Sequence, residues 1–145
     1  MNLKCKEVYI TDLCNVTRAA IGKRYKAGSC YIKLSAVDDF VGQIAQDGEI
    51  ESRFAVFEPK GQINTDYLYV TVQRSFPEFL RRYRTTINLQ IDTLKHFSIY
   101  WHQDEETQKH IVRAIAAVND EIALIEKQIK EEQELKRWYL AKMMP

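Results

Sequence analysis

The chain has 145 residues, of which 46% are hydrophobic and 28% charged, with 21 Lys and Arg against 20 Asp and Glu. That length suits one modest domain plus an arm, and the composition is ordinary for a globular protein in water. No apolar run approaches a membrane span, and the first residues lack the hydrophobic core of a signal peptide, so a cytoplasmic protein without membrane contact is expected. The near-zero net charge hides an asymmetry. Residues 1–102 carry 14 Lys and Arg against 11 Asp and Glu, net +3; residues 103–145 carry 7 against 9, net −2. Cys5, Cys14 and Cys30 are odd in number and lack metal-ligand spacing, which suits reduced, partly buried thiols.

Residues 1–102 read as a small mixed α/β domain. Cys30, Ile32 and Leu34 alternate with Tyr31, Lys33 and Ser35, the period of a half-buried strand. Ser52 to Glu58 is apolar on both faces, which suits a central strand ended by Pro59. Asn64 or Thr65 can cap a helix that begins at Asp66 and carries Tyr67, Leu68, Val70 and Val72. Pro77 is expected to start a second helical turn carrying Phe79, Leu80 and Tyr83. Phe97, Ile99 and Trp101 form a third alternating strand that leads into the arm.

The arm, residues 103–145, is expected to be one long coiled-coil helix, making the whole an α+β chain. From Asp104 to Met143 there is neither Pro nor Gly, and Ile111, Ile115, Val118, Ile122, Ile125 and Ile129 recur at alternating steps of four and three. Asp104, Glu105 and Glu106 favour the positive end of the helix dipole, and Lys136, Arg137 and Lys142 the negative end. One helix cannot bury such a stripe by itself, so a paired helix or a partner subunit is implied. After Ile129 the seam positions fall on Glu132 and Lys136, and the apolar residues shift to Leu135, Trp138, Tyr139, Leu140 and Met143. Trp138 and Tyr139 fit either a core or a partner anchor.

No catalytic constellation is visible. Gly22-Lys23 lacks the rest of a phosphate loop, and His96, His102 and His110 do not fall at metal-ligand spacing. No nucleophile elbow or zinc helix is present. The chain reads as a non-enzyme, with no cofactor and no metal. The basic residues do cluster: Arg18, Lys23, Arg24 and Lys26 in one group, Arg74, Arg81, Arg82 and Arg84 in another. Lys23, Arg24, Lys26, Arg74, Arg81, Arg82 and Arg84 are the candidate contacts to a polyanion; were it duplex DNA, they would act by phosphate pairing or by bidentate reading of guanine. A solvated helix face or surface loop accounts for each of them equally well.

Several short motifs resemble the specificity (S) subunits of type I restriction-modification systems. Thr107-Gln108-Lys109-His110-Ile111 is similar to the Glu-Gln-x-x-Ile step that opens the family's long helix, with Thr107 in place of Glu. Leu135-Lys136, followed by Leu140-Ala141-Lys142-Met143, resembles that helix's end. Tyr67-Leu68-Tyr69 looks like a helix start of the recognition domain, Thr86-Ile87-Asn88-Leu89 like its Asn-Leu turn, and Tyr31 to Ser35 with Asp38 like its early strand. Two departures stand out. Gln103 and Asp104 occupy the place of the family's Pro-Pro elbow, and only about thirty residues separate the early strand from Tyr67, where the family carries more.

The resemblance implies one target-recognition domain and one conserved helix, half of a full S subunit. It further implies duplex DNA as ligand, methyltransferase subunits as partners with a restriction subunit as a further one, and a homodimer that supplies both helices. Catalysis would then belong to the partners. Two functions remain open on the sequence. The first is a DNA-recognition subunit that dimerises and docks methyltransferase; the second is an S-like interaction protein whose trimmed domain modulates a restriction complex without reading DNA.

Overall fold

The computed structural model describes residues 3–84 and 88–144. Its backbone contacts divide it into two units, residues 1–109 and 110–145. The expected α+β class is what the structure shows: small antiparallel sheets and a packed helix in the first unit, then a long C-terminal helix.

In chain order the first unit holds strand β1 (Cys5–Tyr9), a single helical turn α1 (Ile10–Leu13), β2 (Cys14–Arg18), β3 (Arg24–Tyr25), β4 (Cys30–Lys33), β5 (Val41–Gln43), β6 (Gly48–Glu49) and β7 (Phe54–Pro59). Helix α2 (Thr65–Tyr83), a 3-10 turn (Ile91–His96) and β8 (Ser98–His102) follow, and then α3 (Glu105–Met143) begins. The main sheet runs β2-β7-β4-β5, with β1 paired to β8 and β3 to β6 in two smaller ribbons, every pair antiparallel. Strand β7 lies inside the sheet, and Ala55, Val56 and Phe57 are each fully buried, the two-sided burial that its unbroken apolar run demands. Strand β4 buries Cys30 and Ile32 while Tyr31 and Lys33 stay half exposed, as its alternation predicts.

Helix α2 closes over the sheet. Asn64, rather than Thr65, is its cap: Asn64 Oδ1 accepts from the Tyr67 amide at 3.0 Å. Tyr67, Leu68, Val72, Phe76, Phe79 and Leu80 share its inner face, and there Phe76 and Phe79 meet Phe97 at ring-centre distances of 6.1 and 4.9 Å. The expected break at Pro77 does not occur; one helix runs through it. Pro77 and Gln73 are both exposed, so the Gln73 carbonyl that proline leaves unbonded faces water, and the cost of the missing bond is reduced. Gly28, at φ +91°, seats against this helix start; a Cβ there would lie 2.8 Å from Thr65 Oγ1.

The second unit is the body of α3, whose 39 residues extend about 58 Å at 1.5 Å per residue. In the single chain Ile115, Val118, Ile122, Ile125 and Ile129 are all exposed, as are Leu124, Leu135, Trp138 and Tyr139. A shallow, mainly apolar hollow lies between Ile125, Ile129 and Lys136 on this surface.

Candidate functional site

The two basic clusters are held at opposite ends of α2. Lys23, Arg24 and Lys26 surround the β3–β6 ribbon, and Gly28, just beyond them, touches Thr65 at the helix's first turn. Arg81, Arg82 and Arg84 lie at its last turn, roughly 25 Å along the axis from Thr65. They form two separate basic regions.

The ribbon cations are partly committed to neighbours. Lys23 Nζ lies 2.7 Å from Glu58 Oε1 and 4.9 Å from the centre of the Tyr25 ring. The hydrogen bond to Glu58 holds the Lys23 ammonium above its ordinary pKa. Arg24 donates through Nη2 to the Asp47 carbonyl at 3.0 Å. Lys26 is exposed, and its side chain makes no ion pair among the described residues.

Two of the helix cations border a cleft of about 250 Å³ between α2 and β8. Arg74 and Arg82 line it together with Glu7, Glu78, Tyr83 and His96. Arg82 Nη2 is 3.7 Å from Glu78 Oε1, and Glu7 Oε1 accepts from the Ser98 hydroxyl at 2.6 Å. Rings stack along one wall: Phe79 on Tyr83 at 4.7 Å and Tyr83 on His96 at 5.7 Å, the latter pair nearly parallel at 8°. Arg81 and Arg84 are exposed and lie outside this lining. The carboxylates are what sequence reasoning missed. The Arg74, Glu78, Arg82 spacing of four is legible as one helix face, whereas the approach of Glu7 and His96 depends on the β1–β8 pairing.

A second polar group sits where β8 passes into α3. The Tyr67 hydroxyl lies 2.6 Å from His102 Nδ1 and accepts from the His102 amide at 3.2 Å. Gln108 Nε2 donates to the His102 carbonyl at 2.6 Å, and the Asp104 carboxylate accepts from both the amide and the hydroxyl of Thr107. Thr107 and Gln108 are buried, so the first turn of α3 packs into the first unit, which extends to Lys109. Burial holds the Tyr67 phenol above its ordinary pKa. Gln103 and Asp104 thus occupy the expected proline elbow with a hydrogen-bonded cap instead of fixed backbone angles.

Thr86 and Ile87 of the Asn-Leu motif lie outside the described residues; Leu89, its last member, is buried. Among the described residues no group of three His, Cys, Asp or Glu side chains could hold a metal ion, and no helix is long and apolar enough to cross a membrane. Cys14 and Cys30 are buried and Cys5 is exposed.

No protein-family model matches the chain, and no curated protein matches it significantly. Solved structures do. An S subunit of a type I restriction-modification system from M. genitalium superposes with a TM-score of 0.73 over 97% of this chain and 46% of its own, at 10% identity. The HsdS subunit of Thermoanaerobacter tengcongensis gives 0.72 at 16% identity, over 97% of this chain and 44% of its own. A chain from work on the complex assembly and conformational transition of a type I system gives 0.77 at 17% identity, covering 97% and 45%.

The fold is therefore that of type I specificity subunits, as the motifs implied. This chain spans slightly under half the length of each of those chains, and at these identities the shared property is the fold.

Proposed function

We propose that this protein is a DNA sequence-recognition subunit of a type I restriction-modification system. Its first unit reads duplex DNA, α3 pairs with a second copy, and the pair docks methyltransferase subunits, with a restriction subunit as a further partner. The observation that carries this reading is the superposition of 97% of the chain on S subunits. The alternative, a docking protein with a trimmed recognition domain, is less favoured because the superposition extends over 97% of the chain rather than over the arm alone. Chemistry on DNA would fall to the methyltransferase, as the resemblance to S subunits implies.

The arm supports self-pairing in one direction. Its six seam residues are symmetric about Asp120, so in an antiparallel pair Ile111 faces Ile129, Ile115 faces Ile125 and Val118 faces Ile122. A parallel, in-register pair would instead set Glu132 against Glu132 and Lys136 against Lys136 at seam positions, where like charges repel. Two recognition units related by a two-fold axis would read a palindromic split site.

Co-expression with an N6-adenine methyltransferase subunit, co-purification and mapping of methylated adenines test the proposal. The expected result is a stable complex that methylates one two-part palindromic site. A complex that methylates without sequence preference, or no complex, would overturn it.

A further inference from the structure

Resting on that reading, we infer that the outer face of α2 reads base edges in the major groove, with Arg74 and Glu78 as specificity-determining residues, and is not a phosphate clamp. Gln73, Arg74, Pro77, Glu78, Arg81 and Arg82 are all exposed on α2, running from its outer side to the flank where Arg74, Glu78 and Arg82 border the cleft. They span about 13 Å of helix, the length of roughly three or four base-pair steps at 3.4 Å each. A major groove admits a helix of this kind.

The chemistry of the face separates the two roles. Phosphate contacts need cations and neutral donors, and a carboxylate among them repels the backbone. Here Glu78 lies within 3.7 Å of Arg82, and Glu7 lines the same cleft. No lysine stands on the face. Gln, Arg and Glu are the side chains whose donors and acceptors match adenine, guanine and cytosine edges respectively. Arg74 makes no ion pair among the described residues, which leaves both guanidinium edges available for a bidentate bond to guanine N7 and O6. Glu78, one turn further on and oriented by Arg82, can accept from a cytosine N4 amine. The net charge of the face stays positive, so the duplex is still attracted while the carboxylate penalises wrong bases.

The test is selection from a randomised duplex library by the full chain, alone and with the methyltransferase subunit, comparing wild type with Arg74→Lys and Glu78→Gln. Both sites are exposed, so the variants keep the fold, which circular dichroism checks. Arg74→Lys keeps the charge but loses the bidentate fork. It should cut the preference for guanine at one position about tenfold or more while the salt dependence of binding stays the same. Glu78→Gln should relax or switch preference at one position. Tighter binding of all sequences by Glu78→Gln with unchanged preferences would show that the carboxylate faces the backbone, and would overturn the assignment. So would unchanged preferences in both variants. A wild-type chain that selects no sequence in either setting would instead remove the proposed function, and this assignment with it.

Discussion

Replacing Ile122 with Asp should dissolve the proposed self-pairing of the arm. Ile122 is 47% exposed in the single chain, so about half of its side chain is still to be buried. Full burial of an isoleucine contributes about 1.5–3 kcal/mol, and half of it about 1 kcal/mol per copy, or about 2 per dimer. In the antiparallel register each introduced carboxylate would face Val118 of the other copy with no cation at that layer, and an unpaired buried carboxylate costs several kcal/mol more. The total, roughly 5 kcal/mol or more, weakens the dimer over a thousandfold. Analytical ultracentrifugation or light scattering across a micromolar concentration series reads this directly. Leu124→Asp is the control: Leu124 is 56% exposed and lies about 160° around the helix from Ile122, off the seam, so its change should leave the dimer intact. A wild-type monomer with no partner helix refutes the pairing argument, as does an Ile122→Asp dimer as tight as wild type. Equal losses from both substitutions would refute the seam as the particular face.

Changing Gly28 to Ala should cost roughly 1–3 kcal/mol in urea unfolding, because φ is +91° and the new Cβ meets Thr65 at 2.8 Å; an unperturbed midpoint would contradict the close approach. Tyr67→Phe should cost about 1–3 kcal/mol, because it leaves the His102 amide and ring nitrogen without their partner, and protection of the His102 amide from hydrogen exchange should fall with it. In the native protein only Cys5 should react quickly with a thiol reagent near neutral pH, with Cys14 and Cys30 following on unfolding. Burial pushes the Cys14 thiol from 9.0 up to about 12, and raises Cys30 as well. The unfolded chain therefore loses protons above about pH 9 that the native chain keeps, and stability should fall as pH rises from there, by about 1.4 kcal/mol per unit for each thiol. Cys30→Ala should flatten that slope, and an unchanged slope would refute the cause.

Which parts of this fold are legible in the sequence follows from how local their causes are. The arm, the cap at Asn64 and the alternation of Cys30, Ile32 and Leu34 each depend on residues within a few positions of one another, and patterning exposes them. Strands β1, β2, β3, β5 and β6 escape such patterning because they are short and their pairing is distant: Cys5 lies opposite His102 and Cys14 opposite Pro59. Pro77 misleads because a proline's cost depends on whether the carbonyl it orphans faces water, a property of the packed helix. Among the candidate contacts, the arginines of α2 are visible as a cluster, but clustering in sequence overstates their unity. Arg82 pairs with Glu78 while Arg81 and Arg84 stay outside the cleft, and the Lys23 group sits at the other end of the helix.

The junction between β8 and α3 shows how one structural task can be met by different chemistry. Two prolines would fix the backbone through their rings, with no partner required and nothing to titrate. Gln103 and Asp104 leave the backbone angles free, so the start of the helix must be held by bonds. The Asp104 carboxylate caps it through Thr107, Gln108 reaches back to the His102 carbonyl, and Tyr67 holds His102 from α2. Thr107 in place of the resembled family's Glu is consistent with this cap, since its amide and hydroxyl both serve the same carboxylate. Each bond spans only a few ångströms, yet together they join α2, β8 and the first turn of α3. A hydrogen-bonded elbow is strong only while every member is present, because each buried group left without its partner costs more than the bond it made was worth. Substitutions at Tyr67 and Gln108 should therefore be non-additive: the double variant should lose less stability than the two single variants combined, whereas a proline elbow would have no such coupling to measure.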